Sequence, residues 1–233
     1  MALALEQLNV LELLGSVQEP IAVTFRDDEP VGTDRVAKPA PAGCAYWKAA
    51  GEGSSFYTTA DDHLNCPIGA YTHGVELSDT AAGQLNEMVG MMVSLRYIRN
   101  DEVPDIPRKP TPTRYVVYGP LSTAGGTPDV VLLHGTPQQV MLLVEAANAR
   151  QLLSDFPTMG RPACAVIAAT MASGKAATSL GCVGNRVYTG LSEHEMYIGI
   201  PGAALADTVD ALRSIVSANE ELEAFHRARC ETV

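Results

Sequence analysis

The chain has 233 residues, of which 16 are Lys or Arg and 27 are Asp or Glu, so its formal net charge is −11 at pH 7. This length suits one sizeable domain or two closely packed halves, and 46% apolar residues supply material for a full core. The acidic balance argues against a nucleic-acid-binding surface, and the apolar content argues against disorder.

The N-terminal residues predict an amphipathic helix from Leu3 to Leu14 rather than a signal peptide. This segment has no basic region, and Glu6 and Glu12 interrupt its apolar pattern. The most apolar stretch of the chain, Ala163 to Ala172, is shorter than the roughly 18 residues that a membrane-spanning helix needs. We therefore expect a soluble cytoplasmic protein that binds neither membranes nor nucleic acids.

Hydrophobic periodicity and turn residues predict a first group of elements before residue 98. Ser78 is a plausible N-cap for the longest of these helices, which is expected to reach about Tyr97. Its methionines, Met88, Met91 and Met92, are expected to fill gaps in the core. The other predicted elements are a strand from Ile21 to Phe25, a helix from Cys44 to Ala50, a strand from Ser55 to Thr58 and a short helix within Cys66 to Gly74.

A proline-rich segment follows the first group. Residues 102–113 contain four prolines, which disfavour both a helix and a central strand. We interpret this segment as a connector between two halves, 1–103 and 111–233, of one compact unit.

A second group of elements is predicted after the connector, and it includes a helix from Pro137 to Arg150 with proline in its first turn and Thr136 as a cap. The remaining elements are strands from Arg114 to Tyr118, Asp129 to His134 and Met196 to Ile200, a short helix near Cys164, a glycine-punctuated segment around Cys182 and a helix from Ala203 to Ser217. Strands and helices mix without strict alternation. The predicted fold class is therefore α+β, or a loosely organised mixed α/β fold.

The five cysteines, without a secretory signal, indicate a reducing compartment. In that setting metal ligation or thiol chemistry is more common than a disulfide framework. Cys230 lies in a charged C-terminal segment, and we expect it to have no role.

The other four cysteines form a pattern that occurs twice. Cys44 and Cys66 are 22 residues apart, and Cys164 and Cys182 are 18 residues apart. In each pair the second cysteine is followed by a glycine eight residues later. The repeat predicts two pseudo-symmetric halves whose thiols meet at one interface, with chance similarity in a chain rich in Gly and Ala as the alternative.

Two of these cysteines have surroundings that favour the thiolate, the form that binds metals or attacks electrophiles. Pro67 predicts that Cys66 lies at the N-terminus of a helix, near unsatisfied backbone amides. Glycines flank Cys182, and Arg186 supplies positive charge nearby. Cys164 and Cys44 also have a competing interpretation, in which each is a small buried residue without a chemical role.

Histidine and charged residues extend the candidate set. His63 and His73 bracket Cys66 and are positioned in the sequence to complete a site, whereas His134 ends an apolar strand and is expected to be structural. Arg186 and Glu195 are expected either to form an ion pair that fixes the turn or to face a ligand. The candidate catalytic residues are therefore Arg186, Glu195 and His73.

Three long segments resemble the bacterial and archaeal family called domain of unknown function 169. The segments are CAYWKAAGEGSSFYTTADDHLNCPIGA, PDVVLLHGTPQQVMLLVEA and SLGCVGNRVYTGLSEHEMYIGIPG, which span about Cys44 to Gly202. The positions that look like the motifs of that family are Cys44, Cys66 with Gly69, and Cys182 with Gly184, Arg186 and Glu195. Cys164 is the position that we expect relatives to vary.

Three thiols at Cys44, Cys66 and Cys182, with Cys164 as a further candidate, suit an iron–sulfur cluster with one open iron, or a zinc site completed by His or water. The leading hypothesis is a cysteine-ligated metalloprotein with a redox, lyase-like or sensing role, acting on a small molecule or with a redox partner. One alternative is a metal-free enzyme with Cys66 or Cys182 as nucleophile, served by His73 or His63. Another is a module that binds a small anion through Arg186 and helix N-termini.

Overall fold

The computed structural model describes residues 9–15, 18–63, 65 and 67–231, and its fold is mixed α+β, as predicted. Its strands are β1 (Ile21–Arg26), β2 (Phe56–Thr58), β3 (Tyr115–Pro120), β4 (Val130–Gly135), β5 (Ala177–Ser179) and β6 (Met196–Pro201). Its helices are α1 (Ala45–Gly51), α2 (Pro67–Thr72), α3 (Asp79–Ser94), α4 (Pro137–Ala149), α5 (Ala165–Ser173), α6 (Val183–Thr189) and α7 (Leu205–Glu231). Residues 9–14 are also helical, and the rest of the predicted first helix lies outside the described residues.

Short 3-10 helices complete the secondary structure. They are Ala60–His63, Asn100–Asp105, Leu121–Thr123 and Gly202–Ala204. The 3-10 helices Leu121–Thr123 and Gly202–Ala204 directly follow β3 and β6. Each of them begins after the proline that ends its strand.

The six strands form one antiparallel sheet with the order β2-β3-β1-β4-β6-β5. The two sides of this order correspond to each other strand by strand: β1 corresponds to β4, β3 to β6 and β2 to β5. Each side therefore runs from the central pair to its edge in the same sequence. The registers correspond too: Ile21 lies opposite Pro120 in the β1–β3 pair, and Val130 lies opposite Pro201 in the β4–β6 pair. The strand order and the two registers are therefore pseudo-symmetric about the central β1–β4 pair.

The strand pairing groups the chain differently from the proline-rich segment. β3 pairs with both β1 and β2, so it completes the first group of three strands. The second group, β4, β5 and β6, begins only after residue 129. Residues 102–113 thus precede the last strand of the first group instead of separating the two groups. The physical reason is that β3 needs β1 and β2 as hydrogen-bonding neighbours, which no local sequence signal shows.

Each face of the sheet supports its own core, because side chains alternate between the two faces of a strand. One face packs against α1, α2, α5 and the Leu191 turn, with Trp47, Tyr118 and Tyr197 among the buried side chains. The other face packs against α4, α7 and the helical segment 9–14. The helices that begin at or next to Cys44, Cys164 and Cys182 contact the first face or each other.

Local capping signals were reliable guides to the helices. The Ser78 hydroxyl accepts a hydrogen bond from the Ala81 amide at the start of α3. Thr136 and Gln139 form a reciprocal capping box at the start of α4. By contrast, β5 and α6 were not predicted, and α7 continues well beyond Ser217.

The methionines of α3 do not fill the core, which corrects the prediction from sequence. Ala81 is the buried residue of this helix, Met91 is exposed, and Met88 and Met92 are half-buried. Among the described elements, the main packing partner of α3 is α2, a short helix of six residues, so α3 is covered less completely than a helix that lies on the sheet.

Along the described part of the chain, no helix combines the length and the apolar character needed to cross a membrane.

Candidate functional site

Cys44 and Cys164 occupy corresponding places. Each is the residue before the first turn of a helix, α1 or α5, and each has nearly the same backbone angles, φ −70° and ψ −17° against φ −63° and ψ −18°. The residue three positions after each cysteine donates its amide to the cysteine carbonyl. Both side chains are buried in the same core. Cys44 and Cys164, which occupy equivalent positions in the cysteine pattern, therefore also have the same local backbone structure.

The second cysteine of each pair precedes a short helix. Cys182 is the N-cap of α6, and its sulfur accepts a hydrogen bond of 3.4 Å from the Asn185 amide, so a backbone donor does stabilise this sulfur. Cys66 lies outside the described residues, as does Leu64, but α2 begins at Pro67, as predicted. The glycine eight residues after each cysteine has a left-handed backbone, with φ of 68° at Gly74 and 75° at Gly190.

The four helices make contacts across the two strand groups. α1 of the first group packs against α6 of the second, and α5 of the second packs against α2 of the first. Each contact therefore brings a helix that follows Cys44 or Cys164 against a helix that follows Cys182 or Cys66.

Tyr197 of β6 connects Cys44 with the helix of Cys182. Its hydroxyl lies 3.4 Å from both the Asn185 side-chain nitrogen and the Thr189 hydroxyl, which belong to α6. Burial raises the pKa of Tyr197, the hydrogen bonds that its hydroxyl forms with Thr189 and Asn185 oppose this shift, and nearby Cys44 adds to it. Cys44 and the Cys182 helix thus share one buried phenol as a neighbour.

His63 and His73 are both buried in this layer. Their ring centroids are 6.5 Å apart. Burial lowers the pKa of His63 to about 4, against a smaller opposing effect of Asp62, and burial with a smaller contribution from His63 lowers that of His73 to about 3. Both rings are therefore neutral near pH 7.

Three of the four ring nitrogens of this pair have no hydrogen bond of normal geometry to any described residue. They are Nδ1 of His63 and both nitrogens of His73, although the backbone of Cys164 faces the His73 ring. Each buried polar atom without a hydrogen bond lowers the free energy of unfolding by about 1–3 kcal/mol, so three such nitrogens in two neighbouring rings need an explanation.

Arg186 has a structural set of partners. Its guanidinium donates hydrogen bonds to the carbonyl oxygens of Leu180, Ser192 and Glu195, the last at 3.1 Å. It thus joins the segments before and after α6. The expected ion pair with the Glu195 carboxylate is replaced by a contact with the Glu195 backbone.

The Glu195 carboxylate faces a different partner. One oxygen accepts a hydrogen bond from the Ser192 amide at 3.0 Å, and the other lies 3.5 Å from Nδ1 of His134. Burial lowers the pKa of His134, and the charge of Glu195 opposes that shift. His134, which the sequence indicated as structural, therefore has an acidic neighbour.

These two side chains line a cavity of about 130 Å³ beside α1 and the end of α6. Trp47 and Tyr197 form its aromatic wall, and Lys48 and Glu52 lie at its edge. Trp47 is 1% exposed, and its indole nitrogen has no hydrogen-bond partner in the described part of the chain.

Sequence reasoning missed Tyr197, Trp47 and His134 as members of this region. His134 and Tyr197 lie directly opposite each other in the β4–β6 pair, which makes them neighbours although they are far apart in the chain. Knowledge of that pairing would have been needed to find them.

Within residues 9–15, 18–63, 65 and 67–231, no group of three or more His, Cys, Asp or Glu side chains is close enough to hold a metal ion. Cys66 is outside this set. Cys230 is exposed near the end of α7.

Comparisons with known proteins agree with the resemblance seen in the sequence. The profile of the DUF169 family, described as uncharacterised ArCR, matches residues 10–211. A relative is the uncharacterized protein MJ0308 of Methanocaldococcus jannaschii, which is 30% identical over 168 residues, or 69% of this chain and 71% of the relative. No solved structure matches the chain significantly. The protein therefore belongs to the family called domain of unknown function 169.

Proposed function

We propose that the protein is a cysteine-ligated metalloprotein that binds an iron–sulfur cluster through Cys44, Cys66 and Cys182, with Cys164 as a further thiol. The observation that supports this proposal is the pairing of helices, α1 with α6 and α2 with α5, because each pair joins a helix that follows one of the buried cysteines to a helix that follows the second cysteine of a repeat. Thiolate sulfur is the ligand that iron–sulfur clusters and zinc prefer.

The local environments also suit metal ligation. Cys44 and Cys164 are buried in an apolar core that excludes competing water, and the sulfur of Cys182 already accepts a backbone hydrogen bond. Hydrogen bonds to sulfur and limited solvent access are the features by which proteins adjust the reduction potential of such clusters. A redox or sensing role follows from a fully ligated cluster, and a lyase-like role follows from one with an open iron.

Two other functions weighed from the sequence receive less support. The guanidinium of Arg186 is engaged by backbone carbonyls, so it has little capacity left for an anionic ligand. Among the described residues, no histidine forms a hydrogen bond with the Cys182 sulfur, which a nucleophile activated by histidine needs. Zinc remains the alternative metal, since the same thiols would hold it.

The test is metal analysis of protein made and purified without oxygen and reconstituted with iron and sulfide. We expect iron and acid-labile sulfide in the parent protein, and loss of most of both in Cys44→Ala, Cys66→Ala and Cys182→Ala. Cys230→Ala is the matched control, because Cys230 is exposed on α7 and should be dispensable. Absence of both iron and zinc from the parent protein contradicts the proposal, whereas zinc without sulfide selects the alternative metal.

A further inference from the structure

The helices α2 and α6 hold corresponding places in the two strand groups but are covered to different extents. Each begins one residue after the second cysteine of a repeat, and each is followed by a glycine with a left-handed backbone. In α2 the residues one and six positions after the cysteine are buried and the residue five positions after it is half-buried, whereas in α6 all three are exposed. These residues are Pro67, Thr72 and Tyr71 in α2, and Val183, Tyr188 and Val187 in α6.

The cover of α2 comes from residues 75–114. The helix α3 in this segment packs against α2. The Lys109 amide donates a hydrogen bond to the carbonyl oxygen of Thr72 at 2.8 Å, and the guanidinium carbon of Arg108 lies 4.0 Å from the centre of the Tyr71 ring. The first strand group thus covers its helix with α3 and with the proline-rich segment.

The second strand group has no corresponding segment. Residues 191–195 lead from the end of α6 to β6 and contain no helix. Asn185, the buried residue of α6, turns toward Tyr197, and α6 packs against α1. The side of α6 opposite Asn185 therefore remains in contact with solvent.

This outer side of α6 is one continuous apolar surface. Val183 and Val187 lie one helical turn apart, and Val187 is 73% exposed. A Cβ atom at Gly184 would lie 3.6 Å from the Tyr188 ring, so that ring lies against the helix between the two valines and its own backbone. We call Val183, Val187 and Tyr188 the α6 patch. Exposed apolar surfaces of this kind mark sites of interaction with another molecule.

The second half of α3 carries a surface of the same character. Its residues Met88, Met91, Met92 and Leu95 have the spacing i, i+3, i+4, i+7, which places them on one side of the helix, and we call them the α3 stripe. Met91 and Leu95 are exposed, and the other two are half-buried. The buried residue of α3, Ala81, lies in its first turn, at the other end of the helix. Methionine side chains adapt to irregular surfaces and pack well against aromatic rings such as that of Tyr188.

We propose that the α3 stripe of one copy of the chain binds the α6 patch of a second copy, and that a two-fold axis makes this contact occur twice in a homodimer. The first strand group supplies the precedent, because α3 covers α2 within the chain and α6 is the helix that corresponds to α2. An interface of standard size buries about 800 Å² per partner, which is more than one short helix contact supplies. A two-fold axis doubles the contact and closes the assembly at two copies. This inference does not depend on the proposed function.

The charges beside the two surfaces are of opposite sign. Arg96 is exposed and directly follows the α3 stripe. Glu193 is exposed in the turn that Arg186 ties to α6. The stripe and the patch themselves contain no charged residue. The apolar side chains therefore supply the affinity, and the charges at the rim favour contact between unlike surfaces.

The experiment measures the mass of the full chain in solution by sedimentation velocity over a range of concentrations. We expect a concentration-dependent dimer for the parent protein. Val187→Glu and Met91→Glu each place a charge in one of the two surfaces, so each should weaken the dimer at least about tenfold, because an unpaired charge is costly to bury. Val31→Glu is the matched control, since Val31 is 98% exposed in the loop after β1 and should leave dimerisation unchanged.

A pair of opposite charges identifies which surfaces meet. The double variant Met91→Glu/Val187→Lys should dimerise more strongly than Met91→Glu or Val187→Lys alone, because the proposed contact places the new carboxylate of one copy against the new ammonium group of the other. Circular dichroism and urea unfolding at a concentration at which the parent is monomeric should be the same for the parent and the variants, because both side chains are exposed.

Several outcomes would contradict the proposal. A parent protein that stays monomeric at every concentration would do so, as would a dimer that neither Val187→Glu nor Met91→Glu weakens. A dimer weakened by Val187→Glu and not by Met91→Glu would show that two α6 patches meet each other. Assemblies larger than a dimer that both variants abolish would show that the contact does not close about a two-fold axis.

Discussion

At the scale of single residues, the turn around α6 depends on one side chain. Arg186 donates to three carbonyl oxygens on both sides of the helix, and hydrogen bonds from a charged donor are stronger than those between neutral groups. The sequence left two roles open for Arg186, an ion pair with Glu195 that fixes the turn or a residue that faces a ligand beside the Cys182 thiol. In the structure, the Arg186 guanidinium joins the backbone segments that precede and follow α6.

We therefore expect Arg186→Lys to lower the free energy of unfolding by about 1–3 kcal/mol, because one ammonium group cannot reach three carbonyls that a planar guanidinium spans. Urea unfolding monitored by circular dichroism measures this change. Arg213→Lys, an exposed position on α7, is the matched control and should be neutral. A stable Arg186→Lys protein that fails only in metal or ligand retention would restore Arg186 to the site.

At the scale of elements, the sequence predicted what local chemistry determines. Ser78 and Thr136 are caps that satisfy backbone groups within one turn, and both begin helices as predicted. β5 is three residues long and shows no periodicity, and α6 contains Gly184 and Val187, which have low helix propensity. Both elements form because the completed sheet and α1 are there to pack against, which is information that a local window does not hold.

The candidate site was predictable to a similar extent. The cysteine pattern predicted corresponding places for Cys44 and Cys164, and each of them precedes the first turn of a helix with nearly the same backbone angles. The proximity of His134 to Tyr197 depends on strand register, and the partner of Glu195 depends on that same register. These long-range contacts have no signature in one sequence.

The contact of β6 with α5 offers a test at this scale. A methyl group at Gly199 would lie 2.6 Å from the hydroxyl oxygen of Thr170, which is buried and bonded to the Val166 carbonyl. We expect Gly199→Ala to lower the free energy of unfolding by about 1–3 kcal/mol, because close-packed interiors do not absorb an extra carbon. It should also weaken metal retention, since α5 follows Cys164.

The companion change Thr170→Ala removes the obstructing hydroxyl, so the double variant should be more stable than the sum of the two single effects predicts. Gly90→Ala in α3 serves as the control, because nothing lies within 4 Å of the added carbon, and it should stabilise by about 0.4–1 kcal/mol. Equal unfolding free energies for Gly199→Ala and the parent protein would contradict the packing argument.

At the scale of the whole molecule, the two strand groups correspond in backbone but differ in chemistry. The register places Phe25 of β1 where β4 has His134, since Phe25 lies opposite Val116 and His134 lies opposite Tyr197. The Phe25 ring contacts His73, at 5.7 Å between centroids, whereas His134 meets a phenol and a carboxylate. A common framework thus carries two different polar environments, one on each side of the central β1–β4 pair.

The β1–β4 pair also couples the stability of the two strand groups. β1 and β4 lie side by side, with Ala22 opposite Val131, and each of the two cores contains side chains from both strand groups. Separate unfolding of either group would expose the core surface of the other, so we expect a single cooperative unfolding transition for the whole chain.

The single tryptophan makes this expectation measurable. Trp47 lies in α1 and reports on the first group, whereas helical circular dichroism has its largest single contribution from α7, which is 27 residues long and belongs to the second group. Because Trp47 also packs against Tyr197 of the second group, at 5.3 Å between ring centroids, its environment cannot persist once β6 is lost. The urea transitions followed by Trp47 fluorescence and by circular dichroism should therefore share one midpoint and one slope. A fluorescence midpoint separated from the circular dichroism midpoint would show that the two groups unfold independently, although β1 and β4 pair in the middle of the sheet.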